Sequence, residues 1–311
     1  MIRRAVTWLL ASALLSAVLA GCGLGPGEDL GGASELRVTR DFGTELLASA
    51  SLEQVRDGET VMRFLRSERD VETRYGGGFV QSIDGLEGGG AAGQVDWFYF
   101  VNGLEAETGA AERALAPGDV VQWDYRDWGE AMSVPAIVGA YPEPFVHGLE
   151  GKRLPTRVEC EDDSAPACEE VKRRLTDAGV NVTSAPLGAA AGSEVLRVIV
   201  APYEVARRSQ AGASLERGPG ESGVFARFGA GGATLELLDQ NGEVASTAGP
   251  GAGLVAAAAP PGERAVWLVT GVDDAGVEAA ARLLDEATLR DAFAVAATPE
   301  EGPVTLPVVT P

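Results

Sequence analysis

Apolar and polar positions between residues 35 and 128 alternate in short runs separated by turn-forming residues, a pattern typical of β-strands. One segment differs, because Val61, Phe64 and Leu65 recur at helical spacing behind Thr60, a favourable N-cap, and predict a helix through Glu68. The predicted strands lie around Leu36–Arg40, Leu46–Val55, Trp97–Val101 and Val120–Tyr125, with further glycine-broken strands after Tyr75. One helix among several short strands predicts a small α+β domain over residues 35–128.

The strand that begins at Trp97 is apolar on both faces. Trp97, Tyr99 and Val101 share one face, while Phe98 and Phe100 share the other. A strand in a sheet with one solvated face alternates apolar with polar residues, so the second face of this strand must meet something. The second domain, a partner or a ligand could each supply that contact.

Strand-like and helix-like runs alternate between residues 155 and 297, which predicts a separate α/β sandwich domain. Residues 129–154 contain Pro135, Pro142 and Pro144 without clear periodicity, and we interpret them as a linker. Residues 298–311 hold four prolines in fourteen positions and predict a disordered tail.

The first 21 residues have the features of an export signal. Arg3 and Arg4 precede an apolar run too short to span a bilayer, and the run ends in Leu-Ala-Gly before Cys22. This ending resembles the lipobox of bacterial lipoproteins, in which the cysteine is lipidated and becomes the first mature residue. The alternative is an ordinary secretory peptide with a chance cysteine. Residues 22–34 would then form a flexible, glycine-rich tether, and the protein would be extracytoplasmic and lipid-anchored to the cell membrane.

The chain has 311 residues and a formal net charge of -21. Without the first 21 residues, which hold two arginines and no acid, the net charge becomes -23. Such acidity argues against a nucleic-acid partner, since phosphate backbones are bound by clustered Lys and Arg. It also opposes binding to an anionic membrane surface, so we expect the lipid to provide the anchor.

Two other cysteines, Cys160 and Cys168, lie close together in the sequence. In an exported protein such an isolated pair predicts a disulfide, which would contribute about 2–3 kcal/mol through loop entropy. A metal site would need more ligands, and His147, the one histidine, is distant in sequence. We therefore predict no metal site and no required cofactor.

No complete catalytic motif is present, and we predict no catalytic residues. Ser222 lacks the glycine two positions later that a nucleophile elbow requires, since that position is Val224. Lys152 follows Gly151 but precedes Arg153 rather than Ser or Thr, so it is not part of a P-loop. His147 is better interpreted as a packed or exposed linker residue than as a base.

An ordered set of short motifs resembles the transcobalamin-like C-terminal domain family, also called DUF4430, over roughly residues 36–126. The motifs are Tyr75-Gly76, Val80–Gly85, Trp97–Gly103, Gly109-Ala110 and Leu115–Tyr125. The resemblance implies a β-grasp-like fold, with one helix on a mixed sheet. In the cobalamin carriers of this family, the related domain covers the corrin ring beside a helical barrel domain, which this sequence does not contain.

The resemblance also implies where a flat, apolar ligand such as a cobalamin would bind. The expected contacts are aromatic residues near the glycine loops at 76–78 and 88–90: Tyr75, Phe79, Trp97 and Tyr99.

Three functional hypotheses follow. We favour a membrane-anchored binding lipoprotein that captures a small ligand, such as a corrinoid, for an uptake transporter. The first alternative is a cell-surface protein-interaction or structural module. The second is a secreted hydrolase that uses carboxylates of the second domain, which the lack of a complete catalytic motif disfavours.

Overall fold

A computed structural model of the protein describes residues 27–309, with gaps at 91, 92, 191, 193 and 261. The predicted signal peptide, Cys22 and the first part of the tether lie outside the described residues. Within the described ranges, no helix combines the length and apolarity needed to span a bilayer. The chain forms an N-terminal body of α+β structure and a C-terminal α/β body, which confirms the predicted fold class.

The described residues of the N-terminal body form a five-stranded mixed sheet, a small three-stranded sheet and one α-helix. Its strands are β1 (Ser34–Arg40), β2 (Glu45–Leu52), β3 (Val71–Arg74), β4 (Phe79–Ile83), β5 (Leu86–Glu87), β6 (Val95–Val101), β7 (Leu104–Glu105) and β8 (Val120–Asp127). The larger sheet has the order β2-β1-β8-β6-β7, with β1 and β8 parallel and the other neighbours antiparallel. The smaller sheet has the order β3-β4-β5.

Helix α1 (Val61–Glu68) begins and ends where the sequence predicts. The Thr60 hydroxyl accepts a hydrogen bond from the Arg63 amide, which satisfies one of the free N–H groups of the first turn. Val61, Phe64 and Leu65 are buried on the face that meets the larger sheet. The opposing side chains come from the first face of β6 and from β8, so this core contains the aromatic rows that the sequence shows.

The C-terminal body is built on a seven-stranded sheet with a three-stranded sheet beside it. The larger sheet contains β9 (Thr156–Cys160), β10 (Val182–Pro186), β11 (Leu196–Pro202), β15 (Gly253–Ala258), β16 (Val266–Gly271), β17 (Ala294–Thr298) and β18 (Gly302–Leu306). The smaller sheet contains β12 (Ala226–Phe228), β13 (Leu235–Leu238) and β14 (Val244–Ala248). The order of the larger sheet is β10-β9-β11-β16-β15-β17-β18; its first four strands are parallel and the later pairs are antiparallel.

In the described part of this body, six α-helices accompany the sheets: α2 (Pro166–Asp177), α3 (Tyr203–Ala206), α4 (Gln210–Ser214), α5 (Pro219–Ser222), α6 (Asp274–Arg282) and α7 (Glu286–Leu289). Helices α2 and α6 cover one face of the larger sheet, where Val171, Val277 and Ala281 are buried. The short helices and the smaller sheet cover the other face. A sheet with apolar layers on both faces explains why strands such as β15 and β16 are buried along their whole length.

Three segments differ from the sequence-based predictions. The first is the predicted disordered tail, since Gly302–Leu306 forms β18 at the edge of the seven-stranded sheet. Pro303 fits there because an edge strand leaves one row of N–H groups unpaired. Leu306 is buried and Val308 packs against the same apolar core, so this part of the tail has a reason to be ordered.

The predicted linker is the second. Residues 131–145 are largely buried between the two bodies, and Ala131, Val134, Ile137 and Phe145 contribute to the cores. The segment is therefore part of the hydrophobic cores, although its irregular backbone gives no periodic pattern of apolar residues in the sequence.

The third is the described part of the predicted flexible tether. The Leu30 amide donates to the Val55 carbonyl at 2.9 Å, and the Asp57 amide donates to the Glu28 carbonyl at 2.8 Å. Residues 28–32 are thus hydrogen-bonded to the loop that follows β2, whereas the sequence predicts a flexible tether there.

The second face of β6 meets the C-terminal body, which resolves the question raised by its apolar character. Phe100 contacts Phe293 edge-to-face at 5.4 Å between ring centroids. Phe42, at the tip of the β1–β2 hairpin, is inserted between Phe225 and Phe293, with centroid distances of 4.7 and 5.3 Å. These rings form a continuous apolar contact between the two bodies.

A buried carboxylate holds the Phe42 loop in place. Asp41, Phe42 and Gly43 all have positive φ, a conformation that is costly for the first two residues. The Asp124 carboxylate accepts hydrogen bonds from the amides of Phe42 and Gly43 and from the Thr39 hydroxyl, at 2.7–3.1 Å. Burial raises the pKa of Asp124 to about 6, although these hydrogen bonds favour the charged form.

The raised pKa of Asp124 predicts a pH-dependent stability. A carboxyl group whose pKa is higher in the folded protein stabilises it fully below the unfolded pKa near 3.8, and this contribution is lost as the pH rises through 6. Over this range we expect the free energy of unfolding of the wild type to fall by about 3 kcal/mol relative to Asp124→Asn. Denaturant unfolding of both proteins at several pH values between 3.5 and 7.5 measures the difference. A difference that does not change with pH would contradict the prediction.

Candidate functional site

Two of the four predicted ligand contacts lie together on the surface. Tyr75 is 88% exposed and stands in a single 3-10 turn between β3 and β4, and Phe79, the first residue of β4, is 36% exposed. Their rings meet edge-to-face with centroids 6.4 Å apart. The backbone of Tyr75 has φ +53°, which is unusual for a bulky residue.

The other two predicted contacts, Trp97 and Tyr99, lie in the core beneath α1. The Trp97 indole donates a hydrogen bond to the Leu86 carbonyl at 2.9 Å, and the Tyr99 hydroxyl donates to the Thr108 carbonyl at 2.6 Å. The Tyr99 ring stacks on Trp123 at 4.8 Å. The four aromatic residues therefore separate into an exposed pair and a buried pair.

Aromatic side chains of the larger sheet support one of the glycine loops. Trp97 and Tyr125 donate hydrogen bonds to the carbonyls of Leu86 and Glu87, which precede the loop at 88–90. The Gly88 amide donates to Gln81, and the Gly89 amide donates to Val95. In this arrangement the aromatic core positions the loop, and the exposed pair is what remains available to a ligand.

A cleft of about 630 Å³ between the two bodies is a second candidate site. Its lining includes residues of β1 and β2, the turn at Gly118–Asp119, and the buried segment around Tyr141–Glu143. Its volume is in the range of small-molecule sites, which often occur between domains. No sequence pattern predicts this cleft, because one of its walls belongs to the segment 129–154, which the sequence predicts to be a linker.

His147 lines this cleft, and Glu143 holds its side chain in place. Its Nδ1 lies 2.6 Å from Oε1 of Glu143, whose other oxygen accepts a hydrogen bond from the His147 amide at 2.9 Å. Glu143 is buried, whereas the side chain of His147 is half exposed. The ring lies against Gly118, where a Cβ atom would overlap it. A carboxylate that accepts a hydrogen bond from Nδ1 leaves Nε2 free to accept a hydrogen bond from a ligand.

Asp119 stands beside His147 at the bottom of the cleft. Burial raises the pKa of Asp119, although the Ala116 amide and the Asn102 side chain donate hydrogen bonds to its carboxylate. Asn102 also donates to the Gly148 carbonyl and so ties the turn after β6 to the inter-body segment. The polar groups at the bottom of the cleft are therefore largely bonded to one another.

Cys160 and Cys168 form the predicted disulfide, which joins the end of β9 to α2. Among the described residues, the one grouping of three potential metal ligands consists of these two cysteines and Asp163. Because both sulfur atoms are used in the disulfide, the grouping is interpreted as structural. The acidic residues of the loop, Glu161 to Asp163, are exposed.

Comparisons with known proteins support part of the sequence interpretation. Residues 58–127 match the family described as "Domain of unknown function (DUF4430)". No curated protein matches the chain. One similar solved structure is a candidate metal-binding protein from Ruminococcus gnavus ATCC 29149, with 19% identity over 31% of this chain and 97% of that chain and a TM-score of 0.25. The segment that matches the DUF4430 family comprises α1 and strands β3–β8 of the N-terminal body.

If Tyr75 is placed for binding rather than for folding, its removal will not destabilise the protein. Glycine adopts positive φ without steric cost, so we expect Tyr75→Gly to leave the free energy of unfolding unchanged or to raise it by up to about 1 kcal/mol. Tyr99→Phe, which deletes a buried hydrogen bond in the same body, should lower it by about 1 kcal/mol. Denaturant unfolding measures both variants. A loss of more than 1 kcal/mol in Tyr75→Gly would show that the residue has a structural role.

Proposed function

We propose that this protein is an extracytoplasmic binding lipoprotein, anchored to the cell membrane through a lipid on Cys22, that captures a small ligand for an uptake transporter. The ligand class that fits best is a flat molecule with a large apolar face, such as a corrinoid. The DUF4430 domain and the transcobalamin-like motifs support a binding role, and the exposed aromatic pair supports a flat ligand.

The observation that carries this proposal is the exposure of Tyr75. A tyrosine ring that is 88% exposed gains little from folding, yet its backbone is held in a conformation that costs free energy. Phe79 provides a second ring at an angle to the first, so the pair presents one ring face and one ring edge. Such a pair offers a planar ligand both stacking and edge contacts.

Titration of the purified protein with cobalamin tests the ligand class. We expect a saturable decrease in tryptophan fluorescence, and Tyr75→Ala should weaken binding about 2- to 10-fold through the loss of one aromatic contact. Met132→Ala, which removes another exposed apolar side chain in the segment between the bodies, serves as the matched control and should bind like the wild type. Absence of any saturable change would exclude a corrinoid, and equal weakening in both variants would exclude Tyr75 as a specific contact.

An interaction module remains the second candidate, and one observation favours it. Strand β2 is an edge strand, and Leu46 and Leu47 near its start are exposed. Edges of this kind can accept a strand from another protein. A pull-down in which a partner is lost with Leu46→Lys but retained with Tyr75→Ala would favour this function over ligand capture.

Lipidation at Cys22 can be tested separately from ligand binding. Replacement of the thiol in Cys22→Ser removes the acceptor for the lipid, so we expect the protein to be released from the membrane or to remain unprocessed. Membrane fractionation and mass determination of the mature protein measure both outcomes. A variant that is processed normally and stays membrane-bound would refute lipidation at Cys22.

A further inference from the structure

Residues 28–32 are hydrogen-bonded to the loop at 53–59, which lies at one end of the N-terminal body. Besides the contacts of Glu28 and Leu30, the Val55 amide donates to the Gly32 carbonyl at 3.2 Å, and Asp29 pairs with Arg56 as an isolated bridge. At the start of the described residues the chain is thus bonded to the N-terminal body at Glu28, and the surface beside it is formed by the loop at 53–59.

The chain between this fixed point and Cys22 is short. Six residue steps separate Cys22 from Glu28, and a fully extended chain covers about 3.5 Å per step, or about 20 Å in total. A globular protein with the length of the described chain has a radius of gyration of about 19 Å and hence a diameter near 50 Å. The tether is shorter than half this diameter. The point where it joins the protein must therefore lie in the half of the protein that faces the membrane.

We propose that the end of the N-terminal body formed by residues 28–32 and 53–59, the tether face, rests against the surface of the lipid bilayer. This inference rests on the lipidation of Cys22 in the proposed function. Leu30, which is 50% exposed on the tether face, is the apolar side chain placed to enter the headgroup region.

The charge of the tether face indicates the kind of bilayer surface it fits. Glu28, Asp29, Glu53, Asp57 and Glu59 stand there with Arg56 as the basic residue. Anionic lipids repel such a surface, so it fits a bilayer of neutral, zwitterionic headgroups. The lipid anchor rather than electrostatic attraction then holds it in place.

The inter-body cleft opens at this same end. Strands β1 and β8 are parallel and begin there, and the antiparallel β2 ends there. The cleft is lined by the residues at these strand ends, including Ala33, Ser34, Ser51 and Val120. The Phe42 loop lies at the opposite end of the sheet, where β1 passes into β2. A molecule in the cleft would therefore lie at the end of the protein that faces the membrane.

The orientation is measured on the complete, lipidated protein in phosphatidylcholine vesicles that contain a lipid with a nitroxide-labelled headgroup. A fluorophore is placed on a single introduced cysteine, either Gln54→Cys on the tether face or Leu47→Cys near the opposite end of β2. The strand between Leu47 and Leu52 alone separates these positions by about 17 Å. We expect quenching at position 54 to be at least twofold stronger than at position 47.

Two further variants distinguish a wrong orientation from a wrong assignment of the lipid anchor. Insertion of about 30 Gly/Ser residues between Gly25 and Pro26 should make the quenching at the two positions equal, because a long tether no longer restricts rotation. Equal quenching, or stronger quenching at position 47, with the natural tether would overturn the orientation. Sedimentation of the vesicles with Cys22→Ser tests the lipid anchor independently of the quenching. If this variant stays bound to the vesicles, the proposed lipidation of Cys22 is wrong.

Discussion

The contact between the two bodies depends on the Asp124 carboxylate. It binds the amides of Phe42 and Gly43 and so keeps the hairpin tip in a left-handed conformation that places the Phe42 ring between Phe225 and Phe293. Fully buried Arg126 lies above the ring of Phe98, with its guanidinium carbon 3.8 Å from the centroid, and donates to the Ala131 carbonyl. This face of the N-terminal sheet, which combines aromatic rings with paired charges, is thereby buried against the C-terminal body.

The sequence predicted the elements whose signals are local. Thr60 and the spacing of Val61, Phe64 and Leu65 were sufficient to place α1, and the double apolar character of β6 correctly required a second contact surface. The inter-body segment and β18 were missed, because their order comes from packing against residues far along the chain. Pro303 is tolerated only because β18 is an edge strand, which local sequence cannot reveal.

The candidate site was predictable only in part. The motifs around Tyr75 and Trp97 placed the four predicted contacts in the N-terminal body, but alternation along a strand does not tell a buried face from an exposed one. In the structure Trp97 and Tyr99 lie in the buried cluster that also contains residues of α1, whereas Tyr75 and Phe79 are exposed. The cleft beside His147 had no sequence signal, since its walls come from segments brought together only by the contact between the bodies.

The position of β1 has a consequence for how this protein could have been assembled during evolution. The segment that matches the DUF4430 family begins at residue 58, whereas β1 ends at Arg40 and lies between β2 and β8 in the middle of the sheet. Transfer of the matched segment alone into another gene would remove β1 from one side of β8, which would become an edge strand paired with β6 alone, and would expose Asp124 to solvent. Recombination that preserves the fold must therefore move the first two strands together with the recognisable domain, and the C-terminal body that receives Phe42 is tied to the same exchange.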